Sequence, residues 1–421
     1  MRTPVVVMAG QGDSDAVVAR LLQRRGTVVV RHRFDGHVVV RNLAALRHGV
    51  PESGEYVLEL SHGCVSCTVR NDLLVLLRRL HRRTDVERVI VHLAPWLEPD
   101  PVCWAIEHVR VSLGPGYIDG PAIRDVRIAG VVCCIDSDSW LPQALGDDEL
   151  DDGRTVAQVA VCQAEFADVL VAPHADRPTQ AVLNRLTPRA WIVQEPDRVE
   201  DALLRLTDDD RRGVGDDPLG PLLAGQPPLE ADGPVRIVEF TADRPFHPHR
   251  LHDAIDVLLS GVVRARGRIW LASRPHTVMC LESAGGGLRV SSGGKWLAAM
   301  SESELARVDT QRRALAGLVW DDRHGDRQTS IVAVICGARA EEITATLQAA
   351  VLTDAEMADP WAWPHYGDPF GDWHEEPCSD AVYVEPSTYT EPSTYTEPST
   401  YTEPSTYTEP STPNANPGEE E

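Results

Sequence analysis

Two cysteines separated by two residues are the clearest chemical signal in the sequence. They lie in the stretch His62-Gly63-Cys64-Val65-Ser66-Cys67. Two thiolates at this spacing can bind one Zn²⁺, and the imidazole of His62 can supply a third ligand. The pair alone provides half of a closed tetrahedral site. Unliganded structural cysteines are one alternative, and dithiol redox chemistry next to a helix predicted to begin at Asn71 is another.

A turn with two glycines follows the first predicted strand and leads into an apolar helix. It reads Ala9-Gly10-Gln11-Gly12-Asp13-Ser14-Asp15. A phosphate-binding loop needs glycines, so that backbone amides can surround the phosphates, a lysine for the β and γ oxygens, and a hydroxyl for Mg²⁺. Gly10 and Gly12 meet the first requirement, but the chain has a single lysine, Lys295. Asp13 and Asp15 would repel phosphates, so the sequence favours an ordinary strand-to-helix turn with aspartates at the helix N-terminus.

Two other groups of side chains in the C-terminal half could bind a metal. The first group is His247, His249 and His252, and the second is His365, His374 and Cys378. His249 and His252 fall on the first turn of a predicted helix, where one face is usually solvated. The sequence therefore favours histidines without a metal in the first group, and the second group carries less weight still.

Strands and helices alternate along the first half of the chain. β-Branched runs predict strands over residues 4–8, 27–30, 56–60, 88–93, 128–135, 169–172 and 190–193. Helical periodicity is found over residues 15–25, 71–82 and 179–186. This alternation predicts an α/β domain with a parallel sheet that is covered by helices on both faces.

The second half changes in pattern three times. Residues 196–232 are rich in Asp, Pro and Gly and predict a linker or insertion. A compact α+β domain is predicted over 233–357, with one long helix at 301–316, and an acidic aromatic segment follows over 358–384. The last part, 385–421, repeats Glu-Pro-Ser-Thr-Tyr-Thr. This tail is predicted to be disordered because it has too little apolar mass to offset its ordering entropy.

Composition excludes several classes of protein. The 421 residues contain no apolar run long enough for a membrane-spanning helix, and the N-terminus reads as a first strand rather than a signal peptide. Nine cysteines, several of them in strand-like runs, are typical of reduced thiols in a cytoplasmic protein. A net charge of −24 argues against binding to DNA.

Several ordered segments together resemble the CobW-type GTPase and metallochaperone family over roughly residues 4–375. The segments that carry the resemblance are 59–73, 163–168, 245–248, 264–273, 293–296 and 320–328. The resemblance implies a P-loop-type parallel-sheet G-domain over 1–195, followed by a small α+β CobW C-terminal domain. It implies a metal site at Cys64, Cys67 and His62, with zinc as the metal.

The departures from the family pattern all fall on nucleotide or metal motifs. The phosphate loop reads Asp13-Ser14-Asp15 where the family has Gly-Lys-Thr, and the guanine-recognition motif keeps only Asp176. The second nucleotide strand ends His92-Leu93-Ala94-Pro95, and Ser66 replaces the middle thiol of the metal motif. The resemblance and these departures together imply that Gly10, Gly12 and Asp176 are remnants of a nucleotide site. They also imply a scaffold that no longer hydrolyses GTP well. Bound GTP and Mg²⁺ are not favoured.

Within the family, this combination most resembles an actinobacterial branch that acts during zinc starvation. The resemblance implies a zinc-responsive adaptor that brings a ribosome hibernation factor to the small ribosomal subunit, with no membrane or DNA partner. An alternative is a zinc metallochaperone that couples GTP hydrolysis to metal transfer. A dithiol redox protein is a third and weaker hypothesis.

Overall fold

The computed structural model describes residues 1–47, 49–207, 209–215, 219–220, 222–223, 225–371 and 381–382. The tail predicted as disordered lies outside these ranges. Two sheets, one in each half of the described chain, belong to a single compact unit. The α/β prediction for the first half and the α+β prediction for the second are both confirmed.

The first sheet has eight strands, in the order β4-β3-β2-β5-β1-β7-β8-β9. The strands of the first half are β1 Thr3–Gly10, β2 Thr27–Phe34, β3 Val39–Arg47, β4 Val50–Leu58, β5 Arg88–His92, β6 Arg110–Val111, β7 Val126–Cys134, β8 Val169–Val171 and β9 Trp191–Val193. Six of the eight run parallel to their neighbours, as predicted, whereas β3 and β4 add an antiparallel edge. Strand β3 was not predicted, because the buried and charged Arg41 interrupts its apolar pattern.

Helices cover both faces of this sheet. The helices of the first half are α1 Ser14–Leu22, α2 Val65–His81, α3 Pro99–His108, α4 Trp140–Ala144, α5 Val156–Glu165, α6 Arg177–Leu186 and α7 Val199–Arg205. Strand β2 packs Val28 and Val30 in the core beneath α2 and Val29 in the core beneath α1. Successive side chains of β2 therefore face different helices, as strand geometry requires. Helix α7 lies within the segment predicted as a linker and buries Val199 and Ala202.

Helix α2 begins six residues earlier than the sequence predicts. The predicted start at Asn71 is wrong, because the helix begins at Val65 with Cys64 as its N-cap. The Cys64 sulphur accepts a hydrogen bond from the Cys67 amide at 3.2 Å. Serine, threonine, aspartate and asparagine are the usual N-cap residues, so a cysteine at this position gives no recognised start signal.

The second sheet is antiparallel and has the order β10-β14-β11-β12-β13. Its strands are β10 Val235–Ala242, β11 Val262–Trp270, β12 Thr277–Ala284, β13 Gly287–Lys295 and β14 Thr329–Cys336, and the short β15 Ala381–Val382 pairs with β6. The helices are α8 Pro248–Ala254, α9 Glu302–Leu305, α10 Thr310–Leu318, α11 Ala340–Ala350 and α12 Asp354–Met357. The single helix predicted over 301–316 is wrong, because Asp309 caps a separate second helix.

The two sheets are joined by a shared core and by close backbone contact. Val235, Val263 and Val334 of the second sheet pack in one cluster with side chains of α5 and α6. At the β12–β13 turn, the Gly286 amide donates to the Gly146 carbonyl at 2.8 Å. No described helix combines the length and the apolar character that crossing a bilayer demands.

Candidate functional site

Residues 9–15, which we call the opening turn, contain two glycines that are required by contact with the end of strand β7. The Gly12 amide donates to the Cys134 carbonyl at 3.0 Å. A Cβ atom would lie 2.1 Å from the Cys134 carbonyl oxygen at Gly10 and 2.6 Å from the Ile135 carbonyl oxygen at Gly12. Gly10 also has a φ of +106°, which favours glycine. The turn is therefore closed onto the neighbouring strand.

The last three residues of the opening turn, Asp13 to Asp15, each have a partner within the protein. The Asp13 carboxylate accepts the Ala16 amide at 2.9 Å and caps helix α1. Ser14 Oγ lies 2.8 Å from Nε2 of His92 at the end of β5. Asp15 forms an ion pair with Arg31 of β2.

Arg31 and His92 complete a set of four side chains, which we call the opening-turn network: Ser14, Asp15, Arg31 and His92. Arg31 Nε donates to His92 Nδ1 at 3.2 Å. Burial, with the nearby Arg31 charge as the next cause, lowers the pKa of His92 to about 4. We assign a neutral imidazole that accepts from Arg31 at Nδ1 and donates to Ser14 at Nε2.

This arrangement does not fit a nucleoside triphosphate with Mg²⁺. The Gly12 amide is committed to β7, a carboxylate caps the helix that would face the phosphates, and the Ser14 hydroxyl is bonded to His92. Lys295 lies on β13, where its ammonium pairs with Glu304 at 2.7 Å. Among the residues that the structure describes, the opening turn therefore lacks the free backbone amides, the lysine and the free hydroxyl that binding of a triphosphate requires.

Asp176, the third predicted nucleotide remnant, caps helix α6. Its Oδ1 accepts the Thr179 amide at 2.9 Å, and hydrogen bonds from Thr179 lower its pKa. Asp176 and the opening turn follow the carboxyl ends of parallel strands β8 and β1, so they lie at the same edge of the sheet. This edge is where α/β sheets bind ligands, but each of these residues has a structural role here.

The cysteine pair lies at the N-terminus of α2, after a short 3₁₀ turn over Ser61–Gly63. Cys64 and Cys67 are both half-buried and reduced. Hydrogen bonds from the Cys67 thiol and amide lower the pKa of Cys64. A thiol that ionises more readily is a better metal ligand, because zinc binds the thiolate.

Of the predicted zinc ligands, Cys64 and Cys67 lie in the described part of the chain. The side chain of His62 lies outside the described part of the chain, as do His374 and Cys378. Among the described side chains, no three of the His, Cys, Asp or Glu groups converge on a common metal position. Accordingly, the His247, His249 and His252 group forms no such site, and the His247 ring stacks on Tyr366 with centroids 4.7 Å apart.

The sequence reasoning missed a buried polar cluster beside α2. Asp72, which is 2% exposed, accepts from Arg41 Nη1 at 2.7 Å and lies 2.8 Å from His32 Nε2. Arg41 also stacks on Tyr56, with its guanidinium carbon 4.5 Å from the ring centroid. The available signal was the position of Asp72 among the apolar residues of α2, eight residues after Cys64.

Comparison with known proteins identifies both halves of the chain. Residues 32–195 match the CobW/HypB/UreG nucleotide-binding domain, and residues 235–351 match the cobalamin synthesis protein cobW C-terminal domain. The first match begins after the opening turn, so Gly10 and Gly12 lie outside it.

Named relatives share much of the chain. A Mycobacterium tuberculosis protein named zinc chaperone Rv0106 is 62% identical over 380 residues, which are 90% of this chain and 96% of the relative. A Dictyostelium discoideum protein named zinc-regulated GTPase metalloprotein activator 1 is 24% identical over 330 residues, or 72% of this chain and 67% of that protein. The Zn(II)-bound YjiA GTPase from E. coli aligns with 84% of this chain and 100% of its own, at 12% identity and a TM-score of 0.36. From the two domain matches and the 62% identity, the chain belongs to the CobW family, with a CobW/HypB/UreG nucleotide-binding domain followed by a CobW C-terminal domain.

Proposed function

We propose that this protein is a zinc carrier that holds its cargo at Cys64 and Cys67 and does not use the opening turn to bind GTP. The observation that carries the proposal is a half-buried, reduced cysteine pair at a helix N-terminus, with a lowered Cys64 pKa. The names of the relatives, zinc chaperone and zinc-regulated GTPase metalloprotein activator, support zinc as the cargo.

The chemistry of an incomplete site suits a carrier. Two thiolates bind Zn²⁺ strongly, but they fill only two of its four tetrahedral positions. The other positions can be taken by His62, by water or by ligands of an acceptor protein. An acceptor that supplies its own ligands can therefore displace the thiolates one at a time. Proton release on binding makes the zinc affinity fall as the pH is lowered.

The adaptor hypothesis stays a prediction. Recruitment of a ribosome hibernation factor to the small ribosomal subunit has no counterpart in the names of these relatives, which favour the metallochaperone alternative. GTP-dependent transfer, the other part of that alternative, is not proposed because the opening turn does not fit the nucleotide. We retain the cytoplasm as the proposed location, since the reduced thiols suit it.

A competition titration with a chromophoric zinc chelator tests the proposed function. The reduced full-length protein is expected to withdraw about one zinc ion per chain from the chelator. Zinc binding should weaken as the pH falls, since thiolates must form. A protein that leaves all the zinc on a chelator of micromolar affinity would refute the proposal.

A further inference from the structure

Helix α2 carries a line of polar residues on the side that packs against the sheet. Thr68 and Asp72 are four residues apart, so they lie on one face of the helix, and Cys64 is the N-cap one turn before Thr68. Thr68 is 6% exposed and Asp72 is 2% exposed. Their neighbours Leu73, Leu74 and Leu77 belong to the apolar core. Polar groups buried in such surroundings are costly unless hydrogen bonds compensate them.

The Thr68 hydroxyl connects the two ends of the segment that enters the helix. It donates to the Cys64 carbonyl at 2.8 Å and accepts the Ser61 amide at 2.8 Å. The first bond is common for threonine in helices, which often bonds to the carbonyl four residues earlier. The second bond is not of this local type, since it spans seven residues and holds the start of the 3₁₀ turn. The hydroxyl therefore fixes the backbone on both sides of His62 and Gly63.

Asp72, one helical turn further on, fixes this part of α2 to the sheet. Its carboxylate is bonded to His32 of β2 and Arg41 of β3, which stand opposite each other in the antiparallel ladder. The helix turn that carries Thr68 thus lies next to an anchored residue, Asp72, and it holds the Ser61–Gly63 turn through the Thr68 hydroxyl. The Cys64 backbone is held by the Thr68 hydroxyl together with two backbone hydrogen bonds, from the Cys64 amide to the Ser61 carbonyl at 3.0 Å and from the Thr68 amide to the Cys64 carbonyl at 3.1 Å.

We propose that Thr68 is a positioning residue for the zinc thiols of Cys64 and Cys67. The inference rests on the proposed zinc function. A ligand held in its binding conformation before the metal arrives loses less conformational freedom on binding, so loss of the supporting hydrogen bond weakens affinity. Thr68 acts through the backbone of Cys64 and the preceding turn, and it does not itself coordinate the ion.

Substitution of the hydroxyl tests this role. Thr68→Val keeps the size of the side chain and removes both hydrogen bonds, whereas Thr68→Ser keeps the hydroxyl. In the chelator competition, Thr68→Val is expected to bind zinc about 10-fold more weakly than the wild type. Thr68→Ser should bind zinc with an affinity within about twofold of the wild-type affinity. If Thr68 acted only through the volume of its side chain, this result would not be expected.

Thr179→Val provides a matched control. Thr179 is 2% exposed and lies in the first turn of helix α6, where its side chain lowers the pKa of the helix cap Asp176. Loss of the Thr179 hydroxyl should lower the stability of the fold without changing the zinc affinity. If Thr68→Val does not fold, Thr68→Ala and amide hydrogen exchange provide a second test. In the zinc-free protein, the Ser61 amide should exchange slowly in the wild type and in Thr68→Ser and faster in Thr68→Ala.

The outcomes separate this inference from the proposed function. Wild-type zinc affinity in Thr68→Val, or in Thr68→Ala if that variant is the one that folds, would overturn the positioning role and leave the zinc carrier intact. A wild-type protein that binds no zinc would overturn both. Equal loss of affinity in Thr68→Val and Thr179→Val would also overturn the role, since the effect would then reflect general destabilisation.

Discussion

Replacing either Cys64 or Cys67 with serine will lower the zinc affinity by more than about 100-fold, because a neutral hydroxyl replaces one of only two thiolates. Serine preserves the size of the side chain and leaves α2 intact. The double variant should retain no more zinc than a protein without a site. The measurement is the chelator competition on reduced, full-length protein.

Cys162→Ser is the matched control for these variants. Cys162 lies on α5 and is also reduced, but burial raises its pKa to about 12, which opposes formation of the thiolate. Its replacement removes one thiol and should leave zinc affinity unchanged. Equal zinc binding by the wild type and both single variants of the pair would show that the zinc lies elsewhere.

Arg78→Ala is expected to destabilise the fold strongly, although Arg78 lies at the far end of α2 from the cysteine pair. Arg78, on α2, is 2% exposed, and its Nε donates to Asp125 at 2.7 Å. Its Nη2 donates to the Ile118 carbonyl at 2.7 Å and its Nη1 to the Gly120 carbonyl at 3.2 Å. Alanine would leave these acceptors without their donor. The Asp125 side chain is 23% exposed, so the ion pair is partly buried, and we expect a loss of about 2–4 kcal/mol.

Urea unfolding of the zinc-free protein measures this loss. Arg20→Ala is the control, because Arg20 forms an ion pair with Asp197 on the surface, where both side chains are more than half exposed. Its loss should change the free energy of unfolding by less than about 1 kcal/mol. Similar stability of the Arg78→Ala and Arg20→Ala proteins would mean that the buried hydrogen bonds of Arg78 are not an important support of the fold.

The sequence predicts the strands of the first sheet where they are continuous apolar runs, as in β1 and β5. It fails where a buried charge interrupts the run, as Arg41 does in β3, because the compensating Asp72 is distant in sequence. The start of α2 is missed for a related reason. The capping bond is made by a cysteine sulphur, and only the folded backbone shows that it accepts the Cys67 amide.

The candidate site, too, is predicted from the sequence only in part. The cysteine pair is visible from spacing alone, and the missing lysine already argues against a working phosphate loop. The actual contacts of Gly10 and Gly12, to the end of β7, join residues more than 100 positions apart. The opening-turn network is equally hidden, because Arg31 and His92 come together only when β2 and β5 pair.

Calorimetric titration of GTP with Mg²⁺ into the zinc-loaded protein tests the central claim most directly. The opening turn is closed by contacts within the protein, so no saturable binding is expected below about 1 mM nucleotide. Zinc should stay bound throughout. Saturable binding of GTP with a micromolar Kd, accompanied by release of the zinc, would contradict a carrier that works without nucleotide.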